Sequence, residues 1–315
     1  MLLLALTACS ACADSLRPTL ADPIDQRVQR LHIMSQRDKA FDGMEYNGGY
    51  ILGRGCQPVS VANAVIAAFG IEDESAAAGI VRETTKLLVM PNQQGTGRIE
   101  LTRLPLLLDI QERAAQTQRY PYLAAAIGAY EGETVFIEEQ LDAGMLRSFM
   151  DEADEPFVMA SRMTVHPDWT ALLEVIDVLH AAGMDDALLS LANVGVGREE
   201  SRTPLRLGDN GHYLTILIHV GTFMQEGRLY VLDSLPRALK GEEWGYTDVL
   251  RRPYAFTEEK TEFSEAFEAS RIRETVIRLT LRDENLWVDA DTAKKAETLA
   301  PLILYGPGVL MIAAN

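Results

Sequence analysis

Two runs of β-branched and aromatic residues in the second half of the chain constrain its fold most strongly. They are HYLTILIHV at residues 212–220 and RLYVLDSL at residues 228–235. Such side chains favour extended backbone, and glycines bound the connection between the runs. The pattern predicts two antiparallel strands joined by a loop from Gly221 to Gly227. Pairing across this loop sets Asp233 opposite Thr215.

The remaining apolar runs predict strands late in the chain and helices early in it. EPFVMAS (155–161), RIRETVIRLTLRD (271–283) and LILYGPGVLMIAAN (302–315) read as further strands. Helical periodicity marks 60–69 (ending at Gly70), 72–90, 99–117, 133–152 and 168–183. Helices followed by antiparallel strands predict an α+β fold, with a helical first half and the sheet in the second half.

Composition narrows the class of protein. A chain of 315 residues with 47% hydrophobic residues can bury a large core, and we expect residues 20–315 to form one domain. The net charge of −17 argues against nucleic acid as the main partner, because phosphate backbones are bound by basic surfaces. The same charge disfavours adsorption to anionic membranes.

The N-terminal segment MLLLALTACSACADS has features of an export leader. Its apolar residues 2–8 are too few to span a bilayer, so no stable membrane insertion is expected. Residues 6–9 (LTAC) are typical of a bacterial lipoprotein cleavage box, and residues 11–13 of a signal-peptidase site, although no basic residue precedes them. We therefore treat residues 1–19 as a leader or a disordered N-terminus. A leader implies export or a lipid anchor at Cys9; without one, the chain is cytoplasmic.

One cysteine stands where a helix is predicted to begin. Cys56 lies in YILGRGCQPVSVANAVIAAFG, with Gly53 and Gly55 before it and Pro58 after it. The glycines allow a close approach of the backbone, and proline suits an early helical position. A helix N-terminus stabilises a thiolate, so Cys56 is either a nucleophile or a small buried core residue.

A nucleophilic cysteine needs a histidine from elsewhere in the fold. The chain has five: His32, His166, His180, His212 and His219. The sequence favours His212 as the base, because Asn210-Gly211 lets the chain turn and the strand then holds the imidazole. His219 reads as a core histidine and His180 as part of a helix face.

Asp233 at the end of the next predicted strand is the candidate for orienting the imidazole. Burial of an acid there is costly without a partner. Three residues of strand separate Thr215 from His212, which is about 10 Å, so the pair needs a bulge or a curl to meet. Ser234, Asp209 and Asn210 are alternatives for the orienting role.

Three segments resemble the C39-like, papain-fold cysteine peptidases. They are GCQPVSVANAV, EPFVMAS and GHYLTILIHV…RLYVLDSLP, and the resemblance covers about residues 44–70 and 155–236. It implies a papain-like cysteine proteinase fold, with Cys56 as nucleophile, His212 as general base and Asp233 as orienting acid. It also implies a peptide or protein substrate, cleaved at a peptide or isopeptide bond through a thioester, without a cofactor.

The chain departs from that family at several points. Gln57 follows the cysteine where the family usually has glycine, and Ser234 follows Asp233 where proline is common. In place of the family's oxyanion-hole glutamine, Asn47 and Gln57 are the candidate amide donors beside the backbone N–H of Cys56.

The departures keep two alternatives open: a catalytically silent papain-like module that binds a partner, and an acyltransferase or deamidase that uses the same residues. No HExxH or clustered His/Cys set predicts a metal site, and the glycine-containing segments lack the spacing of phosphate-binding loops.

Overall fold

A mixed sheet of eight strands, flanked by helices, organises the described part of the chain. The computed structural model describes residues 27–28, 30–36, 38–90, 98–99, 103, 105–153, 155–165, 170–197, 213–232, 234, 276–282, 285–288 and 303–314. The predicted leader, His166, His212 and Asp233 lie outside these residues.

Most of the helices precede or interrupt the strands of the large sheet. Those described are α1 (Ile51–Arg54), α2 (Cys56–Ala68), α3 (Glu74–Leu88), α4 (Pro105–Leu108), α5 (Ala114–Arg119), α6 (Pro121–Gly128), α7 (Ala143–Glu152), α8 (Thr170–Ala181) and α9 (Val220–Glu226). Short 3-10 helices occur at Lys39–Phe41 and Asp109–Glu112.

Four short strands form two separate hairpins: β1 (Glu45–Tyr46) with β2 (Gly49–Tyr50), and β3 (Val89–Met90) with β4 (Arg98–Ile99). The large sheet contains β5 (Glu133–Gln140), β6 (Phe157–Val165), β7 (Leu188–Gly197), β8 (Tyr213–His219), β9 (Arg228–Leu232), β10 (Val276–Arg282), β11 (Asn285–Val288) and β12 (Ile303–Ala314). Its order is β11-β10-β9-β8-β7-β12-β6-β5, so β12 pairs between β7 and β6.

The sheet is mixed because β5 pairs parallel to β6, whereas the other neighbours are antiparallel. Parallel neighbours need a crossover, and α7 supplies it. The prediction of one helix over residues 133–152 is therefore wrong in its first part. Val135 and Ile137 lie on β5, while Asp142 accepts from the N–H of Met145 at 2.8 Å and begins the helix.

Helices cover both faces of the large sheet. On β12, Leu310 and Ile312 pack with α7, α8 and α9, whereas Val309 and Met311 pack with α2, α3 and α6. Strands buried on both faces read as continuous apolar runs, which is the pattern of β12. The fold is mixed α/β. The prediction of a helical first half with an antiparallel sheet in the second half holds only in part, because β5 lies in the first half and pairs parallel to β6.

Several predicted elements are confirmed. Helix α2 ends next to Gly70, whose φ of 64° is the left-handed conformation that favours glycine. Helix α3 and strands β6, β8 and β12 lie within or close to their predicted ranges. The helix predicted at 99–117 is instead broken into α4, a 3-10 turn and α5.

The register between β8 and β9 differs from the prediction by one residue. Thr215 pairs with Leu232, not with Asp233. The connection is the helix α9 (Val220–Glu226), which is capped by His219 at its N-terminus and by Gly227, with a φ of 66°, at its C-terminus. A helix holds the ends of β8 and β9 at a different separation from that of the open loop predicted between Gly221 and Gly227.

Among the described residues, no helix is both long and apolar enough to cross a membrane.

Candidate active site

Cys56 is the first residue of α2 and is half-buried, with a free thiol. The first N–H groups of a helix have no partner within the helix, so their positive ends favour an anion such as a thiolate. Pro58 occupies the first turn, where its missing N–H costs nothing. The predicted position of the cysteine at the mouth of a helix is confirmed.

Gly55 allows the sharp junction between α1 and α2. A Cβ built on Gly55 would lie 2.7 Å from the carbonyl oxygen of Ile51, which already accepts from the N–H of Gly55 at 2.8 Å. A side chain would therefore break this contact. Gly53, by contrast, has open space around it, so the predicted close approach applies to Gly55 alone.

Ser60, one turn after Cys56, anchors α2 to the sheet. Its fully buried hydroxyl donates to the carbonyl of Leu214 at 2.8 Å and accepts from the N–H of Asn193 at 2.8 Å. The hydroxyl of Thr215 donates in turn to the carbonyl of Ser60 at 2.7 Å. These bonds fix the position of the helix relative to β7 and β8.

Asn193 lies at an irregularity of β7 with a left-handed φ of 57°. The pairing of β7 with β8 shifts there, between Leu191 and Val194. Bulges and left-handed residues other than glycine cost free energy and are concentrated near functional sites. This one lies directly beneath α2.

Helix α2 runs in the same direction as β8. Ser60 is bonded to Leu214 and Thr215, while Ala67, two turns later, lines one small cavity with Leu188, which pairs with His219 at the C-terminal end of β8. Cys56 precedes Ser60 by four residues, about 6 Å of helix. That length corresponds to about two residues of strand, so Cys56 lies at the level where β8 begins.

Both predicted amide donors lie near the junction before α2. Asn47 forms the tip of the hairpin between β1 and β2 with a φ of 50°, and its carbonyl accepts from the guanidinium of Arg54 at 2.6 Å. The side-chain oxygen of Gln57 accepts from the hydroxyl of Tyr46 at 3.1 Å. The side-chain oxygen of Gln57 therefore faces Tyr46.

The other two candidate catalytic residues, His212 and Asp233, lie outside the described residues, but their neighbours are on adjacent strands. Tyr213 begins β8 and Leu232 ends β9. The hydroxyl of Ser234 donates to the carbonyl of Tyr213 at 2.9 Å and ties the two strand ends together.

Sequence reasoning did not select a segment that links these parts, residues 32–36, which we call the strap. The amide of Asn63 on α2 binds both the N–H and the carbonyl of Met34, each at 3.0 Å. Gln36, only 2% exposed, donates from its side chain to the carbonyl of Leu52 at 2.8 Å and from its backbone to that of Ser234 at 2.6 Å. A fully buried asparagine in an alanine-rich helix was the signal that such a partner exists.

Two other histidines pair with acids far from Cys56. His180 contacts Asp185 at 2.6 Å on the surface. His219 accepts the N–H of Thr222 at its Nδ1 and caps α9, and its Nε2 lies 3.8 Å from Asp186. Burial lowers the pKa of His219, and the charge of Arg27 lowers it further.

Within the described ranges, no group of three or more His, Cys, Asp or Glu side chains could hold a metal ion. Comparison with protein family models, curated proteins and solved structures finds no match to this chain. Any assignment of function therefore depends on the geometry around Cys56.

Proposed function

We propose that the chain is a cysteine-dependent hydrolase of the C39-like type with a papain-like site, acting on a peptide or isopeptide bond. The observation that carries this proposal is the direction of α2. Ser60 locks the helix onto Leu214 and Thr215, so that Cys56 lies at the level of the first residue of β8. The residue before that strand in the sequence is His212.

In this mechanism the Cys56 thiolate attacks the carbonyl carbon and forms a C–S bond. His212 gives its proton to the leaving amine as the C–N bond breaks, and a thioester remains. His212 then takes a proton from water, which attacks the thioester, releases the acid and restores the thiol. Asp233 holds the imidazole, and the backbone N–H of Cys56 with Gln57 or Asn47 stabilises the oxyanion.

The mechanism makes a geometrical demand on the chain before β8. Thr215 and Leu217 lie on the face that α2 covers, so strict alternation assigns Tyr213 to that face and its predecessor to the other. His212 therefore has to depart from the alternation for its ring to reach Cys56.

The reactivity of the thiol tests the proposal. In the full chain with C9S and C12S, we would measure the rate of alkylation of Cys56 by iodoacetamide between pH 5 and 9, adding His212→Ala in one variant and His180→Ala in another. We expect rapid labelling at pH 6, lowered at least tenfold by His212→Ala, because only thiolate reacts and a thiol with an ordinary pKa near 8.5 is roughly 0.3% ionised there. His180→Ala should leave the rate unchanged.

Slow labelling that rises only near pH 8 to 9 and ignores His212→Ala would contradict the proposal and favour a module that binds a partner. Disulfide formation tests the geometrical demand separately. In the C9S/C12S chain, His212→Cys should form a disulfide with Cys56 under mild oxidation, since the Cα atoms must lie within about 7 Å. Formation by Tyr213→Cys but not by His212→Cys would mean that the alternation persists and that His212 is not the base.

A further inference from the structure

We propose that Gln36 is a positioning residue that holds the segment before Cys56 against Ser234, the residue that follows Asp233 in sequence. This inference rests on the proposed function. Gln36 lies 20 residues before Cys56 in the sequence and belongs to none of the segments that resemble the peptidase family. It nevertheless bonds to both sides of the candidate site.

The first bond fixes α1. The carbonyl of Leu52 can only accept, so the amide nitrogen of Gln36 must face it, at 2.8 Å. Leu52 precedes Cys56 by one turn and its own side chain is half exposed, so packing of that side chain does little to hold α1. The fully buried side chain of Ile51 holds α1 by packing, and the hydrogen bond from Gln36 adds a directional restraint on the Leu52 carbonyl.

The second bond fixes the chain at Ser234, two residues after the end of β9. The backbone N–H of Gln36 donates to the carbonyl of Ser234 at 2.6 Å, and the Ser234 hydroxyl reaches the start of β8 at Tyr213. The strap that carries Gln36 is itself clamped to α2 by Asn63. Gln36 thus links α1, which leads to Cys56, with Ser234 and, through the Ser234 hydroxyl, with Tyr213. In sequence, Tyr213 follows His212 and Ser234 follows Asp233.

Burial of the side-chain oxygen of Gln36 costs free energy of folding. This oxygen is buried and has no hydrogen-bond partner among the described residues. A buried acceptor without a partner destabilises a protein, so a leucine or methionine of similar size would be preferred if only packing mattered. The amide of Gln36 therefore does more than fill space: its N–H group donates to Leu52, and an apolar side chain has no such donor.

The test compares Gln36→Met, Gln36→Glu and Thr84→Val in the full chain with C9S and C12S. Thr84 is the matched control, because it is also fully buried and its hydroxyl has no partner among the described residues, but it lies on α3. Urea unfolding first establishes that each variant is folded, and alkylation of Cys56 is then followed from pH 5 to 9. We expect Gln36→Met to lower the rate at pH 6 between about three- and tenfold through misplacement of the thiol, with Thr84→Val unchanged.

Gln36→Glu supplies a readout that a purely structural role would not move. Its carboxylate cannot donate to Leu52, but its protonated form can, so the ratio of the variant rate to the wild-type rate should rise as the pH falls. Fast wild-type labelling that Gln36→Met leaves intact would overturn this inference while the proposed function stands. Slow wild-type labelling that ignores His212→Ala would overturn the proposed function, and this assignment with it.

Discussion

The two ends of β8 differ in the reactive side chains that lie near them. At the C-terminal end, His219 and His180 both have carboxylate neighbours, but their imidazoles serve a helix cap and a surface ion pair. At the N-terminal end, the half-buried thiol of Cys56 stands at the start of α2, close to the level of Tyr213. A histidine beside an acid is therefore no evidence of catalysis in this chain; what distinguishes the N-terminal end is the cysteine.

The largest effect on stability is expected from the anchor between α2 and the sheet. Ser60→Ala removes both the donor to Leu214 and the oxygen that accepts from the N–H of Asn193. We expect a loss of about 2–3 kcal/mol in the free energy of unfolding, measured by urea denaturation. Ser190→Ala is the matched control, since its hydroxyl is also fully buried but has no partner among the described residues.

Removal of the Ser190 hydroxyl should change the unfolding free energy by less than about 1 kcal/mol, because no hydrogen bond is lost. Equal losses from Ser60→Ala and Ser190→Ala would mean that the hydroxyl of Ser60 is not an anchor. The N-terminal end of β8 would then be no more rigidly built than any other part of the sheet.

An intermediate effect is expected at the other end of the strand. The pKa of His219 is lowered by burial and by Arg27, so the unfolded chain binds the proton first as the pH falls below about 6.5. Stability from this group is present above that pH and is lost as the pH falls towards the folded pKa. Protonation of Nδ1 also removes the acceptor for Thr222.

His219→Asn keeps a capping side chain that does not titrate. We expect its unfolding free energy at pH 7 to lie within about 1 kcal/mol of wild type, the size of a helix cap, and to fall less than that of wild type between pH 7 and pH 5. Urea unfolding at the two pH values measures both. Parallel losses in the two proteins would contradict the role of His219 as the titrating cap.

The smallest effect is expected from the exposed pair. His180 and Asp185 have side chains 46% and 51% exposed, so solvent screens their interaction although the atoms lie 2.6 Å apart. His180→Ala should change the unfolding free energy by less than about 0.5 kcal/mol. A loss comparable to that of His219→Asn would show that the two histidines differ less than their burial implies.

The fold was predictable where burial follows local periodicity. The apolar runs of β6 and β12 and the alanine-rich α2 indicated their own structure. Strand β5 was not predictable, because its exposed glutamates give ETVFIEEQ a composition that also suits a helix. Strand β7 was not selected, since its alanine, serine, asparagine and glycine residues lack the β-branched pattern of a typical strand.

The site was predictable only as far as neighbours in sequence determine it. Gly55 and Pro58 predicted that a helix begins at Cys56, and the apolar run after His212 predicted strand β8. The register between β8 and β9 depends on α9, but Gly221 and Gly227 predicted an open loop in its place. Gln36 was out of reach because its partners, Leu52 and Ser234, are brought to it by tertiary structure alone.

The central place of β12 determines the order in which the chain can fold. Strands β6 and β7 cannot complete their ladders until a segment more than 100 residues downstream pairs with them, since β6 ends at Val165, β7 ends at Gly197 and β12 begins at Ile303. Contacts between segments so distant in sequence are slow to form, and two unpaired strand edges stay open until they do. We therefore expect the sheet beneath α2 to assemble late, and we expect changes in residues 303–314 to alter the rate at which the candidate site forms.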